Sequence, residues 1–426
     1  MMRQQLSWEV KVQTLKQLKN GELQGTVRLN LSENLSQFPA EIFDLADSLE
    51  VLDLSNNQLS ELPQDLNRLK KLRILFCSNN EFTCLPPMLS LCQNLEMIGF
   101  KSNKITQVPA SSLPLQTRWL ILTDNKIAEL PEKLGQLKNL EKLALSGNQL
   151  TYIPQSISNC HKLGLIRLSA NALTSFPDAL LDLPKLAWLA FAGNPFCETS
   201  TIEDRIKILK RDTFSFYEVL GKGASGVIYR ATSSSDNHLP NEVAIKVFKG
   251  EVTSDGYPED ELDACLSTGL HPNLVKPLAQ IKEADCSALV MELIPTDYIN
   301  LGQPPSLETC TRDTFTQGQS FSIKQIEHIV QQLESLVDHL IEHKVSHGDL
   351  YAHNVLINHQ GDILFGDFGA ASKYQMLEGY QQSGIQAIER RALNYFIDDM
   401  LSLCQPEDRQ SQAYHQLKSK LTLITE

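Results

Sequence analysis

Apolar positions in the first half of the chain recur in one frame, leucine-x-x-leucine-x-leucine-x-x-asparagine-x-leucine, as at Leu140, Leu143, Leu145, Asn148 and Leu150. Its asparagines fall at 34, 57, 80, 103, 125, 148, 171 and 194, a spacing of 23 residues with a single 22. An apolar residue followed by proline usually comes next, as at Leu62-Pro63, Val108-Pro109 and Phe176-Pro177. A period of this length predicts one short parallel strand and a return segment per unit, with leucines filling a core that no unit could bury alone. The fixed asparagine predicts that its amide satisfies backbone groups where the chain turns out of the strand. The first unit, "VRLNLSENLSQFP", is one residue short before its proline.

These units resemble the leucine-rich repeat, and eight matches at constant spacing make the resemblance specific. What such an array binds comes from the positions between the leucines. The residue just before the second consensus leucine reads Val51, Ile74, Met97, Trp119, Lys142, Leu165 and Trp188, apolar in six of seven cases. An exposed apolar stripe marks a contact surface. The six apolar residues are therefore expected to receive a protein substrate or regulator, or else the chain's own second domain or another copy. Residues 199–212, "TSTIEDRIKILKRD", break the period and predict a short capping helix. Ser200 or Thr201 would cap it, with Glu203 and Asp204 early and Lys207, Lys210 and Arg211 late, matching the helix dipole.

From Phe214 the pattern changes to strand-like runs around Gly221, Gly223 and Gly226 in "FYEVLGKGASGVIYRAT". With no helix and acidic residue to make a dinucleotide fold, these glycines predict a hairpin lid whose backbone approaches phosphates. "NEVAIKVFK" follows with Lys246, then "LHPNLV", "LVMELI", "HGDLYAHNVL" with Asp349 and Asn354, and "GDFGAA" with Asp367. This ordered set resembles the protein kinase fold over roughly residues 213–403. The resemblance implies that Lys246 holds the α- and β-phosphates of ATP, that Asn354 and Asp367 hold Mg²⁺, and that Asp349 accepts the hydroxyl proton. It further implies Met291 as gatekeeper, the backbones of Glu292 and Ile294 against adenine, and Ile228, Ala244 and Leu356 around its ring. Glu261 is the expected partner of Lys246, chosen over Glu259 and Asp263 on the same acidic run.

The family pattern also fails in places. Gly348 stands where most protein kinases carry arginine, which predicts activity independent of activation-loop phosphorylation. Serine/threonine kinases carry a lysine two residues after the catalytic aspartate, and tyrosine kinases an arginine four after it. Here those positions are Tyr351 and His353. No Ala-Pro-Glu follows Gly369, so Glu389 is expected to serve as the acidic residue of the family's helix F, with residues 370–388 as the whole activation segment. His347 is expected to pack beneath the Asp-Phe-Gly turn.

The expected architecture is multidomain. An α/β repeat solenoid at 26–198 follows an N-terminal cap helix at 1–25. A helix at 199–212 then leads to a bilobal α+β kinase-like domain at 213–426 with a truncated C-lobe. A length of 426 residues requires more than one core. A net charge of −13 argues against nucleic acid and anionic membrane surfaces as partners. No apolar run is long enough to span a membrane. Nine scattered cysteines without metal-ligand spacing predict reduced, half-buried thiols and a cytoplasmic location. The function expected is that of an ATP- and Mg²⁺-dependent protein kinase, with serine/threonine as the default acceptor. A small-molecule kinase of the same fold and a catalytically silent scaffold are the alternatives. Oligomeric state is open.

Overall fold

The computed structural model describes residues 13–197, 206–223, 225–233, 239–249, 253 and 255–422. It divides into two compact units, and the division falls inside the repeat array. One unit holds residues up to 144 together with 148–162, and the other holds 145–147 and everything from 163 onward.

In the first unit, α1 (Leu15–Lys19) is held by a capping box between Thr14 and Gln17. It is the described part of the expected cap helix, whose first twelve residues lie outside the described ones. Six three-residue strands follow: β1 (Arg28–Asn30), β2 (Val51–Asp53), β3 (Ile74–Phe76), β4 (Met97–Gly99), β5 (Trp119–Ile121) and β6 (Lys142–Ala144). They pair in parallel and in register, so that Val51, Ile74, Met97, Trp119 and Lys142 form one row. Asparagine amides join successive turns. Asn103 Nδ2 donates to Cys77 O at 2.9 Å and Phe100 O at 3.2 Å, while its Oδ1 accepts Phe82 N–H at 3.1 Å. The residue before each such asparagine has a left-handed backbone, for example Asn56 (φ 60°), Asn79 (φ 53°) and Asp124 (φ 56°). Asn34 departs from the ladder. Its φ of 54° places it in that left-handed slot, and Asn57 Oδ1 takes the neighbouring Leu35 N–H at 2.9 Å. The one-residue deletion in the first unit thus removes the asparagine rung, and Asn34 is exposed.

In the second unit, β7 (Leu165–Arg167) and β8 (Trp188–Ala190) continue the repeat pattern, again parallel. The expected helix at 199–212 does not form where the chain is described. Ile208 and Leu209 make β9, which runs parallel to the strand Pro277–Glu283, and residues 211–213 make a 3₁₀ turn. Lys207 N–H···O bonding is likewise strand-like, its carbonyl accepting Gln280 N–H at 2.9 Å. The edge of a sheet has captured a segment too short to sustain a helix by itself. Ser200, Thr201, Glu203 and Asp204 lie outside the described residues.

A six-stranded sheet follows, in the order β10 (Phe214–Lys222), β11 (Gly226–Ser233), β12 (Glu242–Phe248), β14 (Cys286–Glu292), β13 (Pro277–Glu283), β9. α2 (Pro258–Ser267) precedes β13. The larger helical part is organised by α3 (Ile323–Glu342), which begins at a Ser322/Gln325 capping box. It buries Ile326, Ile329, Val330, Leu333, Leu336, Val337 and Leu340 at helical spacing. α4 (Gly379–Ser402) packs beside it, and α5 (Gln412–Thr422) closes the end. Short ribbons carry the motifs: β15 (Ile299–Asn300) with β17 (Val355–Ile357) and β18 (Ile363–Phe365), and β16 (Val345–Ser346) with β19 (Ser372–Lys373). α4 starts ten residues before Glu389, so the segment between Gly369 and the helix is shorter than the expected 370–388. Among the described residues no helix is long and apolar enough to cross a membrane.

Candidate active site

A cavity of about 330 Å³ opens between β11, β12 and β14 on one side and β17 with the Asp367 turn on the other. Gly223, Gly226, Ile228, Lys246, Glu261, Met291, Ile294, Asn354, Leu356 and Asp367 all line it. Four expected residues stand outside that lining, Asp349 of the catalytic loop and three expected around the nucleotide. Gly221 lies on β10 with its Cα facing the Ile228 side chain. Ala244 is buried behind Met291, its register partner across the sheet. The Glu292 N–H is bonded to Lys276 O at 3.0 Å, and its carboxylate faces Lys276 Nζ at 3.4 Å.

Alternation along β12 aims Lys246 inward, and burial leaves it 8% exposed. α2 brings Glu261 to it, and the two form an ion pair. Lys246 also reaches Asp367 Oδ1 at 3.4 Å. Of the carboxylates on this helix, Glu259 is exposed and Asp263 instead pairs with Lys373. Burial works to lower the Lys246 pKa, but Asp367 and Glu261 outweigh it and hold the amine above its usual value. Glu261 is raised, first by burial and then by Asp367. Two carboxylates thus share one ammonium, and the Asp367 side chain is 62% exposed. That surplus negative charge, with oxygen ligands from Asp367 and Asn354, fits a hard divalent cation such as Mg²⁺. Asp367 itself takes a left-handed backbone (φ 58°), which turns its carboxylate out of β18. Cys265 also lines the cavity, with its thiol pushed up to about 12 by burial.

The catalytic loop is anchored from below. Glu389 on α4 accepts Ser346 Oγ–H at 2.7 Å and the N–H groups of His347 and Gly348, each at 3.2 Å. The expected role of Glu389 is therefore met by geometry. His347 is buried against Phe365 and Phe368, with ring centroids 4.2 and 5.1 Å away, and its Nε2 meets Gly366 O at 3.2 Å. Burial pulls its pKa down to about 4, so the ring is neutral. Asn354 Nδ2 donates to Asp349 O at 3.0 Å and to Asp349 Oδ2 at 3.1 Å, tying the loop's two polar residues together.

The other Asp349 oxygen meets a residue that motif reading did not single out. Arg167, the last residue of β7, donates from Nη2 to Asp349 Oδ1 at 2.6 Å. Its Nε donates to Asp255 Oδ1 at 2.8 Å, and Nη1 donates to Gly348 O at 3.2 Å and Trp188 O at 3.3 Å. Gly348 has φ 70°, and a Cβ there would lie 2.6 Å from both Leu189 O and Ala370 O. The repeat backbone occupies the space an arginine side chain at 348 would need. Leu165 and Trp188, expected on an exposed partner-binding stripe, are 4% and 2% exposed and belong to the kinase-side core. Trp188 stacks on Tyr351 (4.6 Å, 10°) and Tyr395 (5.3 Å, 20°), and its Nε1 donates to Leu350 O at 3.2 Å. Tyr351 and His353 are likewise committed, the latter by a 2.7 Å contact to Asp313. In the first unit, Ile74, Met97 and Trp119 are also buried, since neighbours in register cover one another and Lys142 lies 4.6 Å over the Trp119 ring; Val51 is half-buried. The signal for Arg167 was present in the repeat frame. The same slot in the other units holds Asn30, Asp53, Phe76, Gly99, Ile121, Ala144 and Ala190, so it alone is basic.

Comparison with known proteins accords with this geometry. The protein kinase domain model matches residues 214–385, and leucine-rich-repeat models match 47–88, 115–173 and 138–196. The chain is 30% identical over 168 residues to cyclin-dependent kinase 11.1 of Caenorhabditis elegans, covering 38% of this chain and 22% of that one. It is 30% identical over 167 residues to the serine/threonine-protein kinase PITSLRE of Drosophila melanogaster, covering 38% and 16%. It is 25% identical over 183 residues to fibroblast growth factor receptor 1 of Xenopus laevis, covering 41% and 22%. The matched stretch is thus under a quarter of each of these relatives. A leucine-rich-repeat protein structure from Leptospira interrogans aligns with TM-score 0.34 at 30% identity, covering 40% of this chain and 50% of that one. The chain carries leucine-rich repeats followed by a protein kinase domain.

Proposed function

We propose that this protein is an ATP- and Mg²⁺-dependent protein kinase acting on serine or threonine hydroxyls. The observation that carries this reading is the joining of Lys246, Glu261 and Asp367 over one cavity that Asn354 also lines, with Asp349 tied to Asn354. Lys246 holds the phosphates, and Ile228, Met291 and Leu356 enclose the adenine. Asn354 and Asp367 would hold Mg²⁺, which neutralises phosphate charge when bound. Asp349 orients the acceptor hydroxyl and takes its proton. The serine/threonine assignment draws on the Drosophila relative, a serine/threonine-protein kinase by name. Tyr351 and His353 contribute to neither acceptor pattern, being packed and paired elsewhere.

The repeats of the first unit are proposed to recruit the protein substrate or a regulator, but not through the expected row: Ile74, Met97 and Trp119 are buried, as Leu165 and Trp188 are, and only Val51 is half-buried. The cysteines form no disulfide among the described residues, and most are buried, which suits a reducing compartment and the proposed cytoplasmic location. Purified protein incubated with labelled ATP and Mg²⁺ tests the reading. Transfer to protein serine or threonine is expected, with Asp349→Asn lowering the rate on the order of 10²–10³-fold. Label appearing only on small alcohols, or equal transfer by the variant, overturns it.

A further inference from the structure

We infer that Arg167, carried by the seventh repeat, is a positioning residue of the phosphotransfer site and supplies the cation that the catalytic loop lacks. This rests on the kinase reading above. The catalytic loop provides no lysine or arginine after Asp349. The residue two positions on, Tyr351, is buried in a stack with Trp188, and the residue four positions on, His353, is hydrogen-bonded to Asp313. A carboxylate whose side chain is only 24% exposed nonetheless needs a charge partner to stay ionised and aimed. Arg167 is that partner, at 2.6 Å.

The guanidinium is itself held in place. Its side chain is 5% exposed, and the fork is bonded to Asp255, Asp349 and the carbonyls of Gly348 and Trp188. One oxygen of Asp349 goes to Arg167 and the other to Asn354, which fixes the rotation of the carboxylate plane. A carboxylate has about four lone-pair directions, so an acceptor hydroxyl can still be received beside both donors. Arg167 does not itself line the nucleotide cavity and reaches it only through Asp255, which does.

Three variants of the full chain test this: R167Q, R167K and R391Q. Arg391 bonds Leu186 O and secures the eighth repeat without touching Asp349, so its variant controls for loosened packing. R167Q is expected to lower kcat about 100-fold with the KM for ATP moved far less. R167K is expected to restore part of kcat, since a point charge lacks the fork. R391Q is expected to lower the thermal midpoint and leave kcat near that of the wild type. Equal kcat in R167Q and wild type overturns the inference, as does a fall that R391Q reproduces or that R167K does not relieve, and as does a raised kcat, which would make the contact an inhibitory one. Transfer by the wild-type protein tests the kinase reading by itself, and the comparison among variants tests Arg167.

Discussion

The first six repeats and the last two share one sequence frame and one backbone, yet they are built into different things. In the first unit the row facing out of the strands is closed by its own members, ending with Lys142 over Trp119. In β7 and β8 the same slots hold Leu165, Arg167 and Trp188, and each of these contacts the kinase domain or its core. The period sets where strands and turns fall. The residues between the leucines set what the strand joins. A repeat array can therefore be continuous in pattern and divided in purpose, with the boundary visible only in side chains that the consensus does not specify.

The comparison breaks most sharply at Trp188. Trp188→Ala should cost about 3–5 kcal/mol and abolish measurable phosphate transfer, because it empties the stack on Tyr351 and Tyr395 and releases Leu350 O. Urea denaturation alongside a transfer assay checks both. Asparagine variants in the first unit sharpen the contrast. Asn103→Ala should cost about 2–3 kcal/mol by orphaning Phe82 N–H and Cys77 O, while Phe100 O keeps Asn125 Nδ2, with transfer to a short peptide unchanged. Asn34→Gly, at the position that lost its rung, should change stability by less than about 0.5 kcal/mol, since glycine accepts φ 54° freely.

A smaller effect belongs to the second unit alone. His347 has its pKa depressed to about 4 by burial, so only the unfolded chain takes up a proton as pH falls below about 6.5. The stabilising contribution of the neutral ring is full above that pH and is lost as pH falls toward 4. From pH 6.5 to 5 the loss should be about 2 kcal/mol, and His347→Gln should flatten that slope in denaturation curves.

Much of this was legible in the sequence. The asparagine ladder follows from a repeat of fixed spacing, whereas the Lys246–Glu261 pair, the seat of His347 and the anchoring by Glu389, 43 residues from Ser346, were legible through the resemblance to the protein kinase fold. The segment at 206–213 was misread because its helical charge pattern loses to an available sheet edge, which is a long-range fact. Leu165 and Trp188 were read as exposed because periodicity reports which way a side chain points and not what stands in front of it. Arg167 lies 182 residues from Asp349, and no motif spans such a distance. Only its oddness among the repeat slots marked it.

Gly348 constrains the order in which this site could change. With Leu189 O and Ala370 O both lying where a Cβ would go, an arginine at 348 would need β8 and the backbone after the Asp367 turn to shift. A shift of β8 would disturb its neighbour β7, which carries Arg167. The loop therefore has room for one source of cation at a time, the repeat strand or its own position 348.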